Sequence, residues 1–190
     1  MNILSMRPFI VFAITMSLLI VLTGITSPSY GASKTPREYQ LKAVFLTGFT
    51  KFIEWPNAAF SKANRRITLC VLGKHPFGRA LNIAVARTNK RKRKGRRLKV
   101  RTIKKLKQIA ACHILYVSKS ERRRRSTVLR YAQHSHVLTV SDMKHFVKNG
   151  GMIQFYTRRN KVRFFINPKT VRHADLEPHG NLLRIADIVR

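Results

Sequence analysis

The residues whose types and spacing come nearest to known chemistry stop short of it. Gly73-Lys74-His75-Pro76-Phe77-Gly78-Arg79-Ala80 has two glycines at the separation of a phosphate-binding loop. Arg79-Ala80 stands where such a loop places the Lys and the Ser or Thr that reach phosphate and magnesium. Pro76 removes a backbone donor as well, so a plain strand-to-helix turn is the favoured reading. No G-x-G-x-x-G fingerprint occurs. The seven histidines contain one close pair, His134 and His136, with no third ligand in register, and this favours solvated or core histidines over a metal site. A serine nucleophile elbow and a Cys–His dyad are both missing.

Seven carboxylates are present, Glu38, Glu54, Glu121, Asp142, Asp175, Glu177 and Asp187. Asp142 and Glu121 are each expected in the first turn of a helix, where a negative charge favours the helix dipole. Glu54, beside Trp55 and Pro56, is expected to end the first helix, where its charge opposes the dipole. A surface contact or an ion pair has to account for it. The chain is therefore expected to act by binding, not by catalysis, with no cofactor and no metal.

Met1 and Arg7 precede an apolar run over residues 9–22, followed by Gly24, Ser27, Pro28, Ser29, Gly31 and Ala32. This reads as a secretory signal peptide over residues 1–32, ahead of a single domain over residues 33–190. Counting the apolar run on to Ile25 leaves an uncleaved membrane anchor as the alternative. Either way the domain is expected in the periplasm. Cys70 and Cys112 are the only cysteines. In an oxidising compartment an even count reads as one disulfide, and two buried free thiols in adjacent strands are the other reading.

The formal net charge is +32. Two runs concentrate it: Lys90-Arg91-Lys92-Arg93-Lys94-Gly95-Arg96-Arg97 and Arg122-Arg123-Arg124-Arg125. Clustered cations release counterions from phosphate polymers, but an exported chain meets anionic lipid and polysaccharide before nucleic acid. Aromatic residues are not interleaved with the runs, so single-strand stacking has no platform. Nucleic acid is disfavoured, and the alternatives are an anionic membrane surface or a merely solvated loop and helix face.

Several elements must position these groups. Leu41, Val44, Phe45, Gly48, Phe49 and Phe52 fall at helical spacing from Arg37 onward, in a helix expected to end by Trp55 ahead of Pro56. Strands are expected at 67–72, 98–103, 113–118 and 136–140, with helical segments from Pro76, at 104–109, at 121–133 and at 141–149. Residues 152–157 and 161–166 read as an antiparallel hairpin across Arg158-Arg159-Asn160, and 168–174 and 181–189 as closing helices. The alternation implies an α/β fold with a mostly parallel sheet of about six strands, covered on both faces and closed by the hairpin. Trp55, Pro56, Phe77 and Pro178, near element ends, are candidate partner contacts together with Glu54.

The chain resembles the YfiR-like family of small periplasmic proteins. The likeness rests on Leu41-Lys42-Ala43-Val44-Phe45-Leu46, Phe52-Ile53-Glu54-Trp55-Pro56, Leu69-Cys70-Val71-Leu72-Gly73 and Cys112-His113-Ile114-Leu115-Tyr116-Val117-Ser118. Leu138-Thr139-Val140-Ser141-Asp142, Phe146, Gly150-Gly151-Met152-Ile153, Arg163-Phe164-Phe165-Ile166-Asn167 and Leu182-Leu183-Arg184-Ile185-Ala186 continue it in order. The resemblance implies a Rossmann-like three-layer sandwich and a Cys70–Cys112 disulfide, without the second cysteine pair of better-known relatives. It also implies a regulator that restrains a membrane-bound diguanylate cyclase through its periplasmic part, so that release raises cyclic di-GMP and biofilm formation. Related domains occur on sensor kinases, which makes a kinase the other partner class. A homodimer is the commonest assembly for such a domain.

Overall fold

The computed structural model describes residues 36–61, 65–91, 95–133 and 135–189. The segment expected to be a signal peptide, together with Lys92, Arg93, Lys94 and His134, lies outside the described residues. The first helix, α1 (Arg37–Phe49), is followed by a two-residue strand β1 (Ile53–Glu54). Then come β2 (Ile67–Leu72), α2 (Ala80–Arg91), β3 (Leu98–Ile103), a 3-10 helix (Leu106–Ala111) and β4 (Ile114–Val117). A second 3-10 helix (Lys119–Arg124) runs into α3 (Arg125–Ala132), ahead of β5 (Leu138–Ser141) and a third 3-10 helix (Val147–Asn149). The hairpin β6 (Ile153–Arg158) and β7 (Lys161–Ile166) precedes α4 (Pro168–Arg172), β8 (Glu177–Pro178), α5 (Gly180–Ile185) and β9 (Asp187–Ile188).

The main sheet has the order β3-β2-β4-β5-β6-β7-β9. β3, β2, β4, β5 and β6 are mutually parallel, β7 is antiparallel to β6, and β9 runs parallel to β7. Because side chains alternate along a strand, each central strand feeds two cores. Leu69, Val71, Ile114, Tyr116, Leu138 and Val140 pack beneath Ala43, Leu46 and Phe49 of α1 and Leu81 and Ala84 of α2. Cys70, Leu72, Leu115 and Val117 face the other way, onto Ile109, Val128 and Ala132. The result is a three-layer α/β sandwich.

Local pattern and tertiary pairing disagree at four places. The first helix stops at Phe49, short of Trp55, because residues 53–54 pair with Glu177–Pro178 and the Phe52 carbonyl accepts the His179 N–H at 2.8 Å. Asp187–Ile188, expected as helix, joins the sheet beside β7 and makes it seven-stranded, with the Val189 N–H bonded to the Ile166 carbonyl at 2.8 Å. Pro76 opens a turn, and the helix proper starts at Ala80. Ser141 ends β5 and does not cap a helix over 141–149; its hydroxyl donates to the Val117 carbonyl at 2.7 Å and accepts the Met143 N–H at 3.1 Å.

Cys70 lies within β2 and Cys112 just ahead of β4, the adjacent strand, and the two form a disulfide across a Cα–Cα distance of 5.8 Å. The closed segment, residues 71–111, carries 15 lysines and arginines and no acid. Its charges repel one another, so the bridge holds together the stretch with most reason to expand. Reduction is expected to lower stability by about 4 kcal/mol, the chain-entropy value for such a loop, with a larger loss at low salt. Urea denaturation with and without reductant at two ionic strengths measures this, and equal midpoints would show that the bridge contributes nothing.

Candidate functional site

Open α/β sheets take ligands at the carboxyl ends of their strands, beside the point where strand order reverses. Here that point lies between β2 and β4, because β3 is on one side of β2 and β4 on the other. The protein fills the crevice itself. Gly73 adopts a left-handed φ of +89°, and a Cβ there would collide with the Ser120 and Glu121 side chains. Ser120 Oγ accepts the Lys74 N–H at 2.9 Å, taking a donor that a phosphate loop would offer. Phe77 is fully buried, edge-on to Tyr116 at 4.7 Å and to Tyr39 at 5.6 Å. It is a core residue and not the surface contact expected of it.

One strand further along, Asp142 is also not the helix-dipole acid expected from sequence. Its side chain is 2% exposed. Oδ2 receives Lys42 Nζ at 2.6 Å and the Tyr39 hydroxyl at 2.9 Å, and Lys119 Nζ stands 3.3 Å away. Oδ1 receives the Tyr116 hydroxyl at 2.7 Å. Lys42 is itself 1% exposed, pairs also with Glu38 Oε1 at 2.7 Å, and lies over the Tyr39 ring. Burial alone would raise the Asp142 carboxyl, but the Lys42, Tyr116 and Tyr39 contacts outweigh it and hold the group below the ordinary carboxylate range. Burial and the same carboxylate push the Tyr39 and Tyr116 hydroxyls far upward, so both stay protonated as donors. With both oxygens engaged, Asp142 is a latch between α1 and the sheet, not a free base. Sequence reading missed it, although a signal was present: Lys42 lies four residues before Leu46 and seven before Phe49, on the apolar face of α1. A lysine there demands a buried counter-charge.

At the opposite, amino edge of the sheet, His113 precedes β4 and is 5% exposed. Its Nδ1 accepts the Thr68 N–H at 3.1 Å, and its ring stacks on Phe60 at 4.7 Å and meets Trp55 edge-on at 6.4 Å. The Arg96 guanidinium also lies over Phe60, 3.6 Å from the ring centroid. Burial pulls the His113 pKa down to about 4, the Ala59 backbone opposes this only in part, and the Arg96 and Lys99 charges add to it.

The β1–β8 pairing brings separated candidates together. Glu54 lies in β1 and not at the helix end expected of it; it is exposed, and its carboxylate stands 2.9 Å from His179 Nε2. Trp55 and Pro56 are half-buried beside it. Pro178 sits opposite Ile53 and is buried, so it supports this surface and is not part of it. Of the cationic candidates, Lys90, Arg91, Arg122, Arg123 and Arg124 are exposed and Arg125 is half-buried. Glu121, read as a dipole acid, is buried and paired with Arg124. Among the described residues no group of three or more His, Cys, Asp or Glu could hold a metal ion.

Lys42→Met strands the buried Asp142 without its nearest cation and is expected to cost about 3 kcal/mol or more. The double variant Lys42→Met/Asp142→Asn is expected to recover part of that loss, and additive losses in denaturation would exclude the latch. A second expectation concerns pH. The neutral His113 ring is favoured in the fold, so its contribution is complete above about pH 6.5 and is lost as pH falls from there to about 4. Asp142 acts below that window, where acid removes its stabilisation, while His75, also lowered by burial, adds to the same slope as His113. Stability measured from pH 7 to 4 should fall less steeply in His113→Phe than in the unaltered protein, and parallel curves would assign the slope elsewhere.

Comparison with known proteins gives one family. Residues 39–187 match the YfiR/HmsC-like family. No curated protein matches the chain. Among solved structures, a conserved domain protein from Vibrio cholerae O1 biovar eltor superposes with a TM-score of 0.48 at 9% identity, covering 65% of this chain and 54% of that one. The chain thus spans about half the length of that neighbour. With the match running from the first turn of α1 to the start of β9, the chain belongs to the YfiR/HmsC-like family.

Proposed function

We propose that this chain is a periplasmic regulator that binds the periplasmic part of a membrane-bound signalling protein, a diguanylate cyclase or a sensor kinase, and holds it in one state. The reading rests on the family match across residues 39–187. Its physical support is the carboxyl edge, where the polar groups a reaction would need are spent on one another around Asp142. Regulation by binding then requires that the domain prefer one state of its partner. Cyclic di-GMP and biofilm formation are the outputs that follow if the partner is a cyclase.

Glu54, Trp55 and Pro56 are the contacts we assign to the partner, with buried Pro178 holding their strand in place. The outer face of α1 adds apolar area: Leu41 is 40% exposed and Val44 58%. Aromatic and apolar groups rimmed by charge suit a protein surface better than a small ligand.

Deleting the chain from its native cells is expected to change cyclic di-GMP several-fold. Restoring the unaltered chain should reverse the change, and restoring Trp55→Ala or Glu54→Arg at equal folded abundance should not. Affinity capture from native membranes is expected to recover a cyclase or kinase with a periplasmic sensor part, and to lose it with the same variants. Unchanged cyclic di-GMP together with no such protein captured would overturn the reading.

A further inference from the structure

Acids and bases are distributed unevenly along the chain. Residues 55–141 hold 24 lysines and arginines and a single acid, Glu121. That acid is buried and committed to Arg124. The segment builds one side of the domain, β3, β2 and β4 with the helices around them. No acidic residue occurs in α2, β3, the Leu106–Ala111 helix or α3.

The fold joins what the sequence keeps apart. α3 packs against the Leu106–Ala111 helix, which follows directly from the edge strand β3, and α2 packs along β3 from the other layer. α2 ends in Lys90 and Arg91, and Arg122–Arg124 lead into α3, so exposed Arg101, Lys104, Lys105 and Lys107 lie on the two elements packed between α2 and α3 or on the link that joins them. These four cations lie in neither basic run. β3 is also the outer strand of the sheet, and its Lys99 and Arg101 discourage pairing with another strand. A face so charged, without acids to offset it, carries a repulsive cost that an anionic plane would relieve.

We propose that this face, centred on Arg101, Lys104, Lys105 and Lys107, docks the domain on an anionic phospholipid surface. Phosphate headgroups are the chemistry it recognises, since it offers many exposed point cations. Two features favour a lipid plane over a nucleic acid. Phe60, which Arg96 covers, also stacks on His113, so its ring is already engaged and offers little to a stacking base. Tyr131 on α3, 50% exposed beside exposed Arg130, presents an amphipathic ring of the kind that sits at headgroup level. Docking of this kind is independent of the regulator reading, because a domain lies on a membrane with or without a protein partner.

The test uses the exported chain with vesicles of phosphatidylcholine alone and of phosphatidylcholine with phosphatidylglycerol, read by co-sedimentation. Binding is expected only with phosphatidylglycerol and should weaken steeply as salt rises from about 50 to 200 mM. The triple variant Lys104→Gln/Lys105→Gln/Lys107→Gln is expected to lose on the order of a hundredfold in affinity, about fivefold per cation. The control is Arg158→Gln/Arg159→Gln/Lys161→Gln at the β6–β7 turn, which removes equal charge. It lies four strands from β3, about 19 Å across the sheet, and should change binding less than threefold. Equal losses in the two variants would show net charge acting without a face, and no binding to phosphatidylglycerol vesicles, or stronger binding to a soluble anionic polysaccharide, would overturn the proposal. Cyclic di-GMP in cells carrying the Lys104→Gln/Lys105→Gln/Lys107→Gln variant separates this outcome from failure of the regulator reading.

Discussion

The buried contact between Lys42 and Asp142 is the constraint to which the rest of the carboxyl edge conforms. Removing two charges from water is unfavourable unless their remaining hydrogen-bonding capacity is met. Here Tyr39 and Tyr116 meet it, with Glu38 and Lys119 at the margin. Satisfying one carboxylate thereby fixes α1, the end of β4 and the connection after β5 relative to one another. The same donors hold Asp142 below the ordinary carboxylate range, which makes it a weak base and a firm anchor between elements.

The domain is polarised in charge and in the means that hold it together. The half built on β3, β2 and β4 is densely cationic, and it is there that the covalent Cys70–Cys112 link joins neighbouring strands. The other half, from β6 to β9, carries acids that meet their bases: Arg172 with Glu177, Arg163 with Asp187 and Glu54 with His179. It also holds an aromatic cluster in which Phe49 meets Phe155 at 5.9 Å and Phe164 at 5.3 Å. One half thus relies on a covalent bond against its own repulsion and the other on packing and ion pairs. Such a division suits a domain with two faces, one toward an anionic surface and one toward a protein.

What the sequence determined by itself was whatever depends on period and composition. β-branched runs at 67–72 and 98–103, the helical spacing of α1 and the β6–β7 hairpin all appear close to where the sequence pattern put them, the hairpin turn shortening to Arg159-Asn160 because Arg158 pairs with Lys161. The mixed α/β architecture and the cysteine pair belong to the same class, since local alternation and an even count carry them. Tertiary structure decided what depends on a distant partner. Residues 53–54 became a strand because residues 177–178 lie alongside them, and 187–188 because the edge of β7 was available, not because two residues encode a strand. Phe77 and Pro178 went inside because other elements cover them, and Asp142 became a buried anion because a lysine 100 residues away arrives on α1. The placing of Lys104, Lys105 and Lys107 is of this second kind, for it is set by the 3-10 helix after β3 packing against α3. Periodicity reports which side of an element turns inward, and only the packing of elements reports what it meets there.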